Sequence, residues 1–349
     1  MIDDLYLHYL ISVRQTNTWV SIYTESSVKI GIVGTGYAAK KRAEALQNYE
    51  RARLISVTGN SSTRLDEFCQ TYAVSATGSW QELVSQPDLD LVFICTVNRD
   101  HGAIARAALE ADKHVVVEYP LSLDPQEAAE IVALAQTQGK LLHVEHIELI
   151  GGVHQAIRHY LAEIGNVFYA RYATISPQRP VARRWSYHRQ TWGFPLVAAL
   201  SRVHRLTDLF GQVATVNCQT RYWDAPEAGY FTACLSNAQL GFANGIVAEI
   251  TYGKGEVFWQ GYRHLEIHGD RGTLLFEGEK GTLIGGEEKT PIEVASRRGL
   301  FAKDTQMVLE RLLENKPLYV HPHASLYALE VADAARQSAE TGNKKSFEF

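Results

Sequence analysis

Short apolar runs alternate with amphipathic segments between residue 28 and about residue 150. The run Val28–Val33 is nearly all apolar, which is typical of a strand that is covered on both faces. Because strands and helices alternate, the pattern predicts an α/β fold with an N-terminal Rossmann doubly wound parallel sheet. The other predicted elements are strands at Leu54–Thr58, Asp90–Thr96, His114–Glu118 and Leu141–Glu145, and helices at Lys40–Tyr49, Ser62–Tyr72, Trp80–Ser85, Gly102–Ala111 and Pro125–Gln138.

The pattern changes after about residue 150, where a helix at Val153–Glu163 precedes longer strands with alternating apolar and polar positions. Glycine-bearing turns separate several of these strands, which indicates a C-terminal α+β domain with a large, mostly antiparallel open sheet. We therefore expect a nucleotide-binding domain at 28–150 and a substrate-binding domain at 151–349. The predicted elements of the second domain are strands at Val167–Ile175, Val213–Tyr222, Phe231–Ser236, Ile246–Tyr252, Arg263–Gly269, Thr273–Glu277 and Gly281–Ile284, and final helices at Asp304–Glu314 and His323–Ala339.

Residues 1–27 differ from both domains. This leader is partly apolar and aromatic, but it opens with Asp3 and Asp4. It therefore lacks the order of a secretory signal, which has a positive start, an apolar block and a small-residue cleavage site. We expect a loosely attached, poorly ordered extension.

Composition narrows the function classes. The 349 residues suffice for two domains, and the net charge of −5 argues against a nucleic-acid binder held by overall positive charge, although a local basic patch stays possible. No apolar run approaches the roughly 20 residues of a membrane helix. The four cysteines lie far apart and lack zinc-binding spacing, so we expect reduced thiols in the cytoplasm and no metal. No obligate protein partner is evident.

A glycine-rich turn, Gly34-x-Gly36-x-x-Ala39, lies between the first predicted strand and helix. Gly34 would form the tight turn, Gly36 would let the backbone approach a pyrophosphate, and Ala39 would keep helix and strand close together. The N–H groups of the helix N-terminus would then face the anion. The predicted cofactor-binding residues of this turn are Gly34, Thr35, Gly36, Tyr37 and Ala38.

The end of the second strand favours NADPH over NADH. An NAD site would place an acid there for the ribose 2′-hydroxyl, but the first acid after this strand is Asp66, inside the next helix. Small polar groups and an arginine suit a 2′-phosphate instead, and these are Asn60, Ser61, Ser62 and Arg64. The ends of the next strands should also border the cofactor, through Thr96, Asn98 and Glu118, and Pro120 could follow a cis peptide bond.

The glycine turn, the tripeptide Glu118-Tyr119-Pro120 and the open-sheet domain resemble the glucose-fructose oxidoreductase/inositol dehydrogenase superfamily over about residues 28–340. That superfamily usually has Glu-Lys-Pro, whose lysine works at the reacting carbon, and an Asp-x-Gly-x-His motif in its second domain. This chain has Tyr119 in the place of the lysine, and Ser201-Arg202 falls where the histidine would be. The absence of the lysine–histidine pair argues against oxidation of sugar alcohols.

Both departures resemble one branch of the superfamily, the biliverdin reductases, and the chain is similar to their cyanobacterial form. The resemblance implies NADPH-dependent reduction of biliverdin to bilirubin by hydride transfer to the central methine carbon. Two alternatives stay open: an NADP-dependent sugar or cyclitol dehydrogenase, and a non-catalytic regulator that binds NADP or a bilin. The segments that carry this resemblance are 33–39, 141–149, 152–158, 193–211 and 252–258.

Biliverdin is a flat tetrapyrrole with two propionates, and residues 179–205 interleave arginines with aromatic side chains. Arginine binds carboxylates through two parallel hydrogen bonds. We expect Arg202 to orient the substrate and stabilise its polarised form, and Arg205, on the same helix face, to be a further catalytic residue. The proton would come from water or from Tyr119. The predicted substrate-binding residues are Arg184, Arg189, Trp192 and Phe194.

Several histidines invite other interpretations. His143, His146 and His154 lie near two glutamates, but the predicted strand geometry gives no compact set of three metal ligands. His204 would be a displaced catalytic histidine if the helix register were shifted by two residues. Neither interpretation is favoured.

Overall fold

The computed structural model describes residues 27–348, so the predicted leader lies outside the described residues except for Ser27. The first sheet has six parallel strands in the order β3-β2-β1-β4-β5-β6. The strand order reverses between β1 and β4, and ligands bind beyond the carboxyl ends of the strands at such a point. The strands are β1 Val28–Val33, β2 Ala52–Thr58, β3 Ser75–Ala76, β4 Leu91–Ile94, β5 His114–Glu118 and β6 Leu142–Glu145.

Helices cover both faces of this sheet, which explains its apolar strands. Ile30 and Ile32 of β1 belong to one core cluster with Ala39 and Ala43 of the first helix, whereas Val33 belongs to the core of the opposite face. Burial on both faces favours strands without polar alternation. The helices of this part are α1 Tyr37–Leu46, α2 Ser62–Tyr72, α3 Trp80–Val84, α4 His101–Glu110 and α5 Pro125–Thr137.

The second sheet has nine strands in the order β14-β13-β12-β11-β7-β10-β9-β8-β15. β7 and β10 run parallel, and the other adjacent pairs are antiparallel. The strands are β7 Val167–Pro177, β8 Val213–Asp224, β9 Phe231–Phe242, β10 Val247–Gly255, β11 Tyr262–Gly269, β12 Thr273–Glu277, β13 Lys280–Gly285, β14 Glu288–Ile292 and β15 Lys345–Ser346.

The helices of the C-terminal half pack against this sheet and also return to the first one. The last helix contacts β8 and α5, while the helix before it contacts α1. The two sheets are therefore joined by more than the single chain crossing near residue 150. These helices are α6 Gly152–Tyr160, α7 Arg189–Trp192, α8 Pro195–Ala198, α9 Ser201–Phe210, α10 Leu300–Glu314 and α11 Pro322–Thr341.

The predicted fold class is confirmed: a six-stranded parallel Rossmann-like sheet is followed by a C-terminal domain with a mixed, mostly antiparallel sheet. The prediction missed β3, β14 and β15, which are two to five residues long. It also ended β9 at Ser236, although the strand continues to Phe242. No helix within residues 27–348 has the length and apolarity needed to cross a membrane.

Candidate active site

A cleft of about 850 Å³ lies beyond the carboxyl ends of β1, β2, β4, β5 and β6. The second domain closes it with residues from 184–198 and 297–301. This places the cleft where the strand order of the first sheet reverses, as expected for a doubly wound fold. The predicted cofactor-binding residues that line the cleft are Gly34, Thr35, Gly36, Tyr37, Ala38, Asn60, Ser61, Arg64, Thr96, Asn98 and Glu118.

The glycine turn has the geometry that a pyrophosphate requires. Gly34 has φ +121°, and a Cβ at this position would lie 2.1 Å from the carbonyl oxygen of Cys95. By contrast, a Cβ at Gly36 would meet no atom within 4 Å, so the backbone faces open space there. No side chain caps the N-terminus of α1, which leaves its first N–H groups available to an anion. The turn therefore fits a dinucleotide.

The end of β2 presents to the cleft three of the four residues that we predict for the 2′-phosphate. Asn60, Ser61 and Arg64 border the cleft, and the Oγ of Ser61 caps α2 by accepting the N–H of Arg64 at 3.5 Å. Ser62 was predicted as a further ligand, but it is the first, exposed residue of α2 and is not among the residues that line the cleft.

Asn98 and His101 fix the walls of the cleft. The Nδ2 of Asn98 donates to the carbonyl of Trp192 at 2.9 Å, so this side chain holds α7 of the second domain against the first. The ring nitrogens of His101 lie 2.8 Å from the carbonyl oxygen of Pro120 and 3.3 Å from that of Thr96. The peptide bond before Pro120 is cis. The ends of β4 and β5 are thus held together beneath the cleft.

A buried charge cluster supports Glu118. Arg42 of α1 is fully buried and pairs with Asp304 of α10 and, at 3.3 Å, with Glu118. Burial alone would lower the pKa of the Arg42 guanidinium, but Asp304 and Glu118 raise it above its ordinary value. On the adjacent strand, burial and the neighbouring Glu118 raise the pKa of Glu145 well above its ordinary value. This raised pKa favours the neutral form of the Glu145 carboxyl, which borders the cleft.

Tyr119 and Arg202 meet at one hydroxyl group. The hydroxyl of Tyr119 donates to the Oγ of Ser201 at 3.2 Å, and the Nη1 of Arg202 donates to the same oxygen at 2.9 Å. Burial raises the pKa of Tyr119, so its hydroxyl keeps its proton at neutral pH. Arg202 does not itself line the cleft, but its buried Nε has no hydrogen-bond partner among residues 27–348.

Arg205 lies elsewhere than its predicted catalytic role requires. Its guanidinium is buried and pairs with Glu148 at 3.0 Å, and it does not line the cleft. Glu148 itself borders the cleft and also contacts Arg263 and Arg297. Arg205 and Arg202 both act on Tyr172, where burial alone would raise the pKa of the hydroxyl but the two guanidinium groups lower it.

Two of the four predicted substrate-binding residues, Arg184 and Trp192, line the cleft, together with Trp185. Arg189 is turned away, because it is exposed and pairs with Asp224. Phe194 precedes α8 and packs, half-buried, against the main core rather than lining the cleft.

The histidines form no metal site that the structure supports: within residues 27–348, no group of three or more His, Cys, Asp or Glu side chains is arranged to hold a metal ion. His204 is buried, and neither of its ring nitrogens has a hydrogen-bond partner among these residues. Burial lowers its pKa to about 4. Its ring packs edge-on against His146, at 4.1 Å between centroids, and does not line the cleft.

Sequence analysis missed several residues of the site, including Arg42, Glu148 and Lys254. Lys254 of β10 lies over the ring of Trp192, at 3.5 Å from its centroid, and donates to the carbonyl of Ser186. Burial lowers the pKa of Lys254 to about 7. Nothing in the sequence distinguishes Arg42 or Lys254 from solvated surface cations. Ser201, however, could be predicted from the sequence, because Ser201-Arg202 occupies the position of the histidine in the superfamily motif.

Comparison with known protein families identifies both parts of the chain. Residues 28–146 match the model of the GFO/IDH/MocA oxidoreductase family, NAD-binding Rossmann fold, and residues 161–346 match that of its C-terminal alpha/beta domain. The superfamily resemblance of the sequence is thus confirmed.

Three similar proteins illustrate the relationship. The crystal structure of biliverdin reductase in complex with biliverdin and NADP⁺ from Synechocystis sp. PCC 6803 is 57% identical, with a TM-score of 0.89 over 90% of this chain and 99% of that chain. Biliverdin reductase A of Mus musculus is 27% identical over 83% of this chain and 88% of its own length. Levoglucosan dehydrogenase in complex with NADH is 16% identical, with a TM-score of 0.78 over 92% of this chain and 99% of that chain, and shares the fold. The chain therefore belongs to the GFO/IDH/MocA oxidoreductase family.

Proposed function

We propose that this chain is an NADPH-dependent oxidoreductase that reduces biliverdin to bilirubin. The observation that carries the proposal is its 57% identity, over 90% of the chain, to the Synechocystis biliverdin reductase crystallised with biliverdin and NADP⁺. The mouse and human biliverdin reductases A, which match 83% and 88% of this chain, support the same activity.

The cofactor assignment rests on the glycine turn and on the end of β2. The open space at Gly36 and the uncapped N-terminus of α1 suit the pyrophosphate, while Asn60, Ser61 and Arg64 suit the 2′-phosphate. When bound, NADPH supplies the hydride for the central methine carbon of the bilin. Glu118, oriented by Arg42, would position the nicotinamide end.

In the proposed reaction, Arg202 stabilises charge on the substrate and Tyr119 supplies a proton. The Arg202 guanidinium stabilises negative charge on the polarised bilin, because a fixed cation in a buried site acts through a low effective dielectric. A guanidinium is too weak an acid to supply the proton to the pyrrole nitrogen. The Tyr119 hydroxyl, which borders the cleft and stays protonated, supplies that proton directly or through a water molecule.

The bilin would lie between Trp192 and Trp185, with Arg184 at the rim for one propionate. An NADP-dependent sugar or cyclitol dehydrogenase is disfavoured, because Tyr119 and Ser201-Arg202 replace the lysine and histidine of that chemistry. We also propose a cytoplasmic location, since the free thiols Cys69, Cys95, Cys218 and Cys234 are compatible with a reducing compartment.

One assay tests the activity. Purified protein is mixed with NADPH and biliverdin, and the loss of the green bilin and the gain of the yellow product are followed by absorbance, with myo-inositol and NADP⁺ as a parallel substrate pair. Bilin reduction without polyol oxidation supports the proposal. Polyol oxidation alone would indicate the dehydrogenase, and tight bilin binding without turnover would indicate a regulator.

A further inference from the structure

Three arginines from the second domain contact a single carboxylate beside the cleft, and a fourth, Arg202, acts on it electrostatically without touching it. Glu148, which follows β6, is contacted by the Nη2 of Arg205 at 3.0 Å, by the Nη1 of Arg263 at 3.8 Å and by Arg297. Arg202 also contributes to lowering the pKa of Glu148. Among the described residues, these arginines form no ion pair with any other carboxylate. This arginine cluster (Arg202, Arg205, Arg263 and Arg297 around Glu148) therefore carries three surplus positive charges.

The arginine cluster reaches the cleft through two of its residues, while Arg263 is partly exposed outside the cleft. Glu148 and Arg297 line the cleft together with Tyr119, whereas Arg205 is buried and Arg202 is half-buried. The Nε atoms of Arg202 and Arg205 are buried and lack hydrogen-bond partners in the described part of the chain. Buried donors without partners and unbalanced buried charge are costly, so such a cluster is suited to an anionic ligand.

Arg297 is the member that can exchange partners at the lowest cost. Its side chain is 39% exposed, compared with 2% for Arg205, and Glu148 is the carboxylate that it contacts. Exposed ion pairs contribute little to stability, whereas breaking a buried pair is strongly unfavourable. A ligand carboxylate can therefore replace Glu148 as the ion-pair partner of Arg297, while the ion pair with Arg205 holds Glu148 in place.

We propose that the arginine cluster is a carboxylate-binding subsite for one propionate of the bilin, in which Arg297 exchanges Glu148 for the substrate carboxylate. The inference rests on the proposed function for the identity of the ligand. It adds Arg297, on the segment between β14 and α10, and Glu148 to the residues that determine specificity. Glu148 acts as an internal competitor, which limits binding to ligands that carry a carboxylate able to displace it.

The test compares biliverdin with its dimethyl ester, which has the same ring system without the negative charges. Dissociation constants are measured by quenching of tryptophan fluorescence, without turnover. Arg297→Gln is expected to weaken biliverdin binding about tenfold and to leave ester binding unchanged within twofold. Arg298→Gln is the matched control, because Arg298 is the exposed neighbour and does not line the cleft. It should change neither constant by more than about twofold.

Glu148→Gln provides a second measurement with the opposite sign. Removal of the internal competitor should tighten biliverdin binding several-fold and leave ester binding unchanged. Because this variant leaves Arg205 without its carboxylate, it could fail to fold, and the Arg297→Gln comparison then decides alone. Equal effects of Arg297→Gln on acid and ester, or no effect on either, would overturn the proposal.

These outcomes are separable from those of the proposed function. If Arg297→Gln weakens the binding of biliverdin but not of its ester, and the protein does not reduce biliverdin, the activity is refuted and the subsite is supported. Reduction of biliverdin with equal effects on acid and ester would refute the subsite alone.

Discussion

Tyr119 follows β5 of the first sheet and Ser201 begins α9, and the hydroxyl of Tyr119 donates a hydrogen bond to the Oγ of Ser201 at 3.2 Å. The same oxygen accepts the Nη1 of Arg202 at 2.9 Å. A serine hydroxyl has two acceptor sites, so both are occupied and its own proton can be donated to a further group. Ser201 therefore sets the spacing between the two groups to which we assign charge stabilisation and proton supply.

Ser201→Ala is expected to lower kcat about tenfold with a smaller change in KM, because one hydrogen bond that orients Tyr119 and Arg202 is lost. Steady-state bilin reduction at saturating NADPH measures both constants. Ser201→Thr keeps the hydroxyl and should retain most of the activity. In a Tyr119→Phe background, Ser201→Ala should lower kcat much less than it does in the unsubstituted protein. An equally large decrease in kcat would show that Ser201 acts independently of Tyr119.

Arg202→Ala is expected to lower kcat/KM for biliverdin by about 100- to 1000-fold, the range for removal of one group that stabilises developing charge. Arg183→Ala is the matched control, because Arg183 is exposed and does not line the cleft. Circular dichroism establishes that both variants fold. An unchanged kcat/KM for Arg202→Ala would remove the role that we assign to this residue.

The fold was largely predictable because its strongest signals are local. The apolar run of β1, the glycine turn and the alternation of elements each follow from residues close in sequence. β14 and β15 were missed because they are short edge strands whose pairing partners, not their own sequences, define them. The continuation of β9 to Phe242 has the same origin, since its last residues pair with the start of β8.

Arg64→Ala should raise the KM for NADPH by about 10- to 100-fold and change the KM for NADH by less than about twofold. The reason is that the arginine would bind the 2′-phosphate, which NADH lacks, through charge-assisted hydrogen bonds. Initial rates with each cofactor measure the selectivity. A parallel rise in both constants would mean that Arg64 contributes to the shape of α2 instead.

His204→Leu is expected to make stability less dependent on pH. The pKa of His204 is about 4 in the folded protein, below its ordinary 6.5, because it is buried. The unfolded chain therefore binds the extra proton first, and the stabilising contribution present above pH 6.5 is lost as the pH falls toward 4. Between pH 7.5 and pH 5, the free energy of unfolding of the unsubstituted protein should fall by about 2 kcal/mol more than that of the variant.

Urea titrations at the two pH values measure this difference. Because His204 does not line the cleft, the variant should also retain its kcat for bilin reduction within about twofold. A loss of activity without a loss of fold would revive the interpretation of His204 as a displaced catalytic histidine.

Asp304→Ala is expected to destabilise the protein by about 3–5 kcal/mol, because it leaves the buried charge of Arg42 without its main partner. Glu310→Gln, at a half-buried position on the same helix whose partner Lys316 is exposed, should cost less than about 1 kcal/mol of unfolding free energy. Urea unfolding measures both. Similar values for the two variants would contradict the importance of the Arg42–Asp304 pair.

The site was less predictable than the fold because its key contacts join distant segments. The glycine turn and the end of β2 could be interpreted locally. In contrast, the partnership of Arg205 with Glu148, which removes Arg205 from the cleft, and that of Arg189 with Asp224 depend on residues 57 and 35 positions away. The chemical type of a side chain indicates what it can bind, and only the tertiary structure shows which partner it has.

The pairing of Arg42 with Asp304 also sets the order of events on the ribosome. The first sheet and its helices leave the exit tunnel well before α10 is synthesised, since 262 positions separate the two residues. Until then Arg42 has only Glu118 as a carboxylate partner in the nascent nucleotide-binding half, although N-terminal domains generally fold first during synthesis. Completion of that half is therefore delayed until synthesis of the chain is nearly finished.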